Sequence, residues 1–208
     1  MKRTLFYVIA LFSAVQFANA QAYNNKSGFG IKGGANFSDV YTQRNTPYTF
    51  ERDSEMKIGF HAGIFAEAFL NDRKNMSIQT ELFYSEDGYT INNFTLDSKT
   101  GELDYTMKTY NIPVLFKYYF CENFNAFFGP QAVYQESSNY TLDGEDVTID
   151  NRRIESVNLN VVGGIEFTTN FGLSINARYI HGTRTMYKQL DDIDVVLKSF
   201  QVGAGFKF

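Results

Sequence analysis

The segment TYNIPVLFKYYF, residues 109–120, decides how the rest of the chain is read. Side chains alternate along an extended strand, so Tyr110, Ile112, Val114, Phe116 and Tyr118 share one face. Asn111, Pro113, Leu115 and Lys117 share the other. The first face is apolar throughout, whereas the second carries a proline and a lysine. A soluble barrel would turn the apolar face inward, which leaves the mixed face without a reason. Both faces are explained if the apolar one meets lipid and the mixed one lines a narrow closed interior, with a tyrosine near each interface as an aromatic girdle. A closed wall has no edge strand to accommodate the missing N–H of Pro113, so a bulge or a lumenal water is expected there.

Working outward, the same period of two recurs. It runs through GFGIKGGANFSDV (28–40), through residues 56–70 and through 76–85. After the opening segment it returns in FNAFFGPQAVYQ (124–135), VNLNVVGGIEF (157–167), FGLSINARYIHG (171–182) and the closing SFQVGAGFKF (199–208). Helical spacing fits these segments less well. The connections between the eight strands alternate in length. Residues 41–55, 86–108, 136–156 and 183–198 are long and polar, whereas 71–75, 121–123 and 168–170 are short. Four long connections against three short ones predict an all-β chain: an eight-stranded antiparallel up-and-down transmembrane β-barrel, with short periplasmic turns and long extracellular loops. Strands of about nine to eleven residues suffice to cross a bilayer when tilted.

The inward positions of these strands collect Lys32, His61, Glu67, Glu81, Lys117, Glu166, Arg178 and Lys207. An eight-stranded barrel is only wide enough to be filled by its own side chains. Four bases, three acids and a histidine in that space predict a structural polar network of salt bridges and hydrogen bonds. Spacing from the short turns places Lys32, Glu67, Lys117, Glu166 and Lys207 in the periplasmic half, with Glu81 and Arg178 higher. The alternative is a narrow path for protons, ions or small solutes.

The ends and the composition bound the rest. MKRTLFYVIALFSAVQFANA (1–20) has a basic start, an apolar run and a small-residue site at Ala18-Asn19-Ala20, so it reads as a cleaved signal peptide. The barrel domain is then 21–208, beginning at Gln21, with no cysteine placed for a lipid anchor. The mature chain carries 17 basic and 23 acidic residues, a formal charge of −6, which argues against nucleic acid as a partner. The long segments hold 17 acidic and 9 basic residues, net −8. Their acidic groups are expected to stay hydrated rather than hold divalent cations that bridge lipopolysaccharide.

No residue set predicts catalysis, a cofactor or a metal. His181 lies near the outer rim, but no serine flanks it, so a surface lipase or protease built on it is the weaker reading. DGEDVTID (143–150) offers Asp143, Glu145, Asp146 and Asp150 to calcium without the spacing of an EF-hand. Cys121, the single cysteine, reads as inert. A soluble barrel of lipocalin type would need an apolar interior, contrary to the alternation.

Several of these strands also resemble a known family. GFGIKGGANFSDV, TYNIPVLFKYYF, FFGPQAVY, ARYIHGT and FQVGAGFKF are together similar to the PorT-like outer-membrane β-barrels common in Bacteroidetes. The most specific pieces are Ile112, Pro113, Leu115, Lys117, Tyr118 and Tyr119, with the Gly30 to Asn36 opening in support. The resemblance implies an outer-membrane barrel whose namesake acts in assembling a protein secretion system. It carries no catalytic or binding residue over to this chain. Phe208 resembles the terminal aromatic read by barrel-assembly machinery. The expected role is therefore a non-enzymatic barrel in contact with outer-membrane lipid and lipopolysaccharide. Its long loops are expected to dock an envelope protein.

Overall fold

The computed structural model describes residues 27–43, 54–96, 99–147, 157–182 and 194–208. The assigned signal peptide, Asp150 and the middles of three long connections lie outside the described residues. Nine strands are described: β1 (Gly28–Gln43), β2 (Ser54–Phe69), β3 (Met76–Leu96), β4 (Lys99–Cys121), β5 (Phe124–Leu142), β6 (Glu145–Val147), β7 (Val157–Thr168), β8 (Leu173–Gly182) and β9 (Asp194–Lys207). Every pairing is antiparallel. β1 pairs with β2 on one side and β9 on the other, and β4 with β5 completes the ring, so eight strands close without an edge. The expected eight strands form this wall. β6 is a ninth, three residues long, and among the described residues pairs only with the far end of β5.

Alternation sets the two faces. Ile112 is 50% exposed while Leu115 is 0% exposed, and the pattern repeats around the ring. Ile31, Ile64, Leu82, Val114, Leu159, Val161, Ile165, Ile175 and Val202 form an outward apolar belt. Tyr84, Tyr110, Tyr134 and Tyr179 rim it at the long-loop end, with Tyr84 and Tyr110 edge to face at 5.9 Å. The expected tyrosine at each rim is met differently at the short-turn end. There Tyr118 is joined by Phe120, Phe124, Phe171, Phe206 and Phe208.

Pro113 produces no bulge, the first of the two outcomes expected there. Pairing with β3 lapses opposite Pro113 and Ile112, then resumes in the same register, Thr80 with Val114 and Phe83 with Asn111. The missing donor therefore removes partners locally without displacing a strand. The large inward rings are seated over glycines. A Cβ on Gly30 would lie 2.3 Å from the Phe65 ring, and one on Gly164 would lie 2.6 Å from that of Phe127. Small residues at these wall positions leave room for rings from the neighbouring strand.

The expected long loop 86–108 is largely strand, and strand also enters the one at 136–156. Residues 86–96 and 99–108 continue β3 and β4 as a hairpin with a two-residue connection between Leu96 and Lys99, and β5 runs on to Leu142. Along this extension the faces exchange character. Glu86, Lys108 and Glu136 stand outside, while Tyr89, Leu103, Tyr105, Met107, Tyr140 and Leu142 form a buried apolar cluster within. The exchange occurs just above the tyrosine rim, as expected where a wall leaves lipid for water. A β-bulge between Lys108 and Thr109, with Glu136 the extra residue of β5, re-phases that strand so that Tyr140 and Leu142 turn inward.

The acidic segment forms a tight turn at its start. Asp143 (φ 51°) and Gly144 (φ 82°) both occupy the left-handed region, which suits a two-residue hairpin connection of type I′ between β5 and β6. The Asp143 carboxylate accepts from the Glu102 amide at 2.9 Å, so it is already engaged by its neighbour hairpin.

Candidate functional site

The inward residues meet in one connected network. At the short-turn end, Glu67 from β2 accepts from Lys207 of β9 at 2.7 Å, Ser77 of β3 at 2.6 Å and Tyr119 of β4 at 2.5 Å. Lys117 of β4 donates to Glu166 of β7 at 2.5 Å and lies 3.5 Å from Glu67. Asn125 of β5 also donates to Glu166. Midway up, Glu81 of β3 accepts from Lys32 of β1 at 2.5 Å and from Arg178 of β8 at 2.8 Å. The Gln79 side chain links the two groups, accepting from Lys117 and donating to Glu81. Lys32, assigned by spacing to the lower half, therefore joins the higher pair.

Packing and charge cooperate here. The Arg178 guanidinium lies between the rings of Phe83 and Phe127, at 5.7 and 5.6 Å. Lys207 stands over Phe69 at 5.2 Å and Lys32 over Phe65 at 5.6 Å. Ring faces attract cations and exclude water at the same time. Buried charges are tolerated because each has an opposite partner and further hydrogen bonds. Leu115, Phe127, Val162 and Ile180 fill the remaining wall from β4, β5, β7 and β8. Arg178 thus reaches across the bore from β8 to β3, and the bore is filled by side chains.

His61 is buried but stands apart from the ion pairs. Its Nδ1 lies 2.6 Å from Asn36 Oδ1. Asn36 Nδ2 donates to Ser85 Oγ, Phe60 O and Glu86 O, which fixes the amide orientation. Oδ1 can only accept, so the proton sits on His61 Nδ1. Nε2, which has no hydrogen-bond partner among the described residues, rests against Gly203.

Sequence reasoning missed Asp87 and its partner Ser199, both buried at the top of this network. Asp87 accepts from Ser85 at 2.6 Å and from Ser199 at 3.1 Å. Its polar neighbours place it in a connection, yet the alternation of Ser77, Gln79, Glu81, Phe83 and Ser85 continues to it unbroken. His181 is exposed and stacks on Tyr179 at 6.2 Å, and among the described residues no serine or carboxylate bonds to it. Cys121 is exposed and free. No group of three or more metal-ligating side chains occurs among the described residues.

Comparison with known proteins gives a consistent picture. The model of the outer membrane protein beta-barrel domain family matches residues 17–188. Among solved structures, the chain is similar to Neisserial surface protein A, at 16% identity and a TM-score of 0.56, covering 88% of this chain and 98% of that one. It is also similar to Ail, the attachment invasion locus protein of Yersinia pestis, determined with the heparin analogue sucrose octasulfate. There identity is 16% and the TM-score 0.50, covering 88% of this chain and 99% of that one. At such identities the likeness concerns the fold. No curated protein matches the chain.

Proposed function

The chain belongs to the outer membrane protein beta-barrel domain family, and from that premise we propose that it is a non-enzymatic structural and docking component of the cell envelope. It resides in the outer membrane as an up-and-down barrel. The observation that carries the docking reading is the filled bore. Arg178, Lys32 and Glu81 bridge it at mid-height, and the Tyr89–Tyr105–Tyr140 cluster fills the wall extension above. With the interior occupied, the surface left for function is the lipid belt and the structure standing outside the membrane. The partners we assign are outer-membrane lipid and lipopolysaccharide around the tyrosine rim, and an envelope protein at the outer hairpins. Association with a protein secretion or surface assembly is supported by the resemblance of the strand motifs to PorT-like barrels.

The test is crosslinking in living cells from a photoreactive residue at Thr100, beside the β3–β4 connection. Reproducible capture of one envelope protein supports docking. Capture of lipopolysaccharide alone would reject a protein partner. The narrow-pore alternative rests on the polar lining, and single-channel recording decides it: the filled bore predicts no conductance above the bare bilayer. Enzymatic action through His181 predicts an altered lipid composition in His181→Ala cells, and we expect none.

A further inference from the structure

We propose that Asp87 is a proton-binding latch: a buried carboxyl that joins β3 to β9 across the outer mouth of the bore. It holds its proton at pH values where solvated aspartates are ionised. The site lies above the tyrosine rim, outside the membrane-spanning part of the wall. It is independent of the docking role.

Position comes first. Above Ser38 and Lys57 the pairing of β1 with β2 ends, and each strand continues on a different neighbour. The wall is held there by side chains reaching across. Ser38 Oγ of β1 donates to Gly88 O and accepts from Gly88 N of β3, both at 2.9 Å. One residue earlier on β3, Asp87 holds Ser199 of β9. Asp87 and Gly88 therefore fasten the β1–β9 ribbon to the β3–β4–β5 sheet at the level where β1 and β2 part.

Charge comes second. Every acid lower in the bore has a cation within ion-pair distance, whereas among the described residues none pairs with Asp87. The groups around it are accounted for strand by strand. On β3, Glu86 carries the same sign. On β2, Lys57 is drawn to Asp104 at 3.3 Å and Thr106 at 2.8 Å, and His61 is reached only through Asn36 and Ser85. On β4, Met107 stands opposite in register, and Lys108 faces outward beside Glu86. On β1 and β9, Asp39 and Lys198 are register partners, and Lys198 shares the outward face with Phe200. Burial lifts the Asp87 carboxyl above the ordinary aspartate range, with the two serine hydroxyls pulling the other way.

Geometry comes third, and it accommodates both protonation states. Ser85 Oγ accepts from Asn36, so its own proton must go to Asp87. Ser199 Oγ has Asp87 as its hydrogen-bond partner among the described residues. A proton on Asp87 is therefore accommodated by rotating one hydroxyl: Ser199 becomes the acceptor, and Ser85 still donates to the other carboxyl oxygen. The sign follows from the raised value. The joined mouth is most stable with the proton bound, and that stability is lost as pH rises through the Asp87 titration.

Infrared titration of the mature chain in lipid bilayers tests this. A protonated-carboxyl band should persist above the ordinary aspartate range, about pH 4, and be lost in Asp87→Asn. In Ser199→Ala, which keeps the acid but removes one donor to its ionised form, the midpoint should move to higher pH. Exchange of the Gly88 amide, corrected for its intrinsic pH dependence, should quicken above the wild-type midpoint. Asp87→Asn spectra that match the wild type at every pH, or a Ser199→Ala midpoint equal to that of wild type, would overturn the proposal.

Discussion

Glu81 of β3 holds two cations, Lys32 of β1 two strands away and Arg178 of β8 across the bore, and is itself buried. Replacing it with glutamine leaves both positive groups in place without their anion. Breaking a buried pair from one side costs about 3–5 kcal/mol, so Glu81→Gln should lower unfolding stability by that order. Urea unfolding in bilayers measures it. A loss within the range of surface substitutions, about 0.5 kcal/mol, would mean the pair is hydrated. Gly164→Ala is a steric counterpart: its Cβ would meet Ala177 O at 2.4 Å and the Phe127 ring at 2.6 Å. Overpacking of this kind costs about 1–3 kcal/mol, read by the same unfolding assay. Residue identities in the bore were legible because alternation alone assigns Lys117 or Glu166 to a face. Which cation meets which acid was not. Lys32 reaches upward to Glu81 because long flexible side chains cover more than one rung of the wall, and strand spacing carries no information about that reach.

At the scale of elements, the reversal of polarity along β3, β4 and β5 explains why the outer halves of β3 and β4 read as a loop. A search for apolar residues on the lipid face ends at Tyr84, since Glu86 follows it outward. The period of two nevertheless continues, with Tyr89 and Ile91 now on the inside. The Asp143-Gly144 pair was also a readable hairpin signal, obscured by the acids around it. Truncating Tyr105, 0% exposed at the centre of the outer cluster, removes an aromatic ring packed against Tyr89 and Tyr140 at 4.9 and 4.7 Å. Tyr105→Ala should raise amide exchange across residues 86–108 while the rungs below Thr109 keep their protection. Uniform loosening of the whole wall would show that the extension does not have a core of its own. Deleting Glu136, the bulged residue, should turn Tyr140 and Leu142 outward and make the β5–β6 hairpin sensitive to protease.

For the molecule as a whole, the closed ring was legible from connection lengths, because an up-and-down barrel with both ends on one side imposes that rhythm. Pro113 shows the limit of such reasoning. Sequence rules confine proline to edge strands and bulges, yet a strand held by a neighbour on each side absorbs a lapse in pairing with each of them here without a shift in register. The ion pairs that fill the bore also have an order built into them. Glu67 meets Lys207 across 140 residues of chain, and Glu81 meets Arg178 across 97. Both acids belong to the first strands made, and both bases to the last. Until β8 and β9 arrive, Glu81 has only Lys32 and Glu67 only the more distant Lys117, so an early intermediate would carry carboxylates short of a partner, which makes a half-inserted sheet a poor resident of lipid. Insertion and seam closure should therefore be a single event, and a chain cut short before β8 should wait in the periplasm for proteolysis rather than lodge in the membrane.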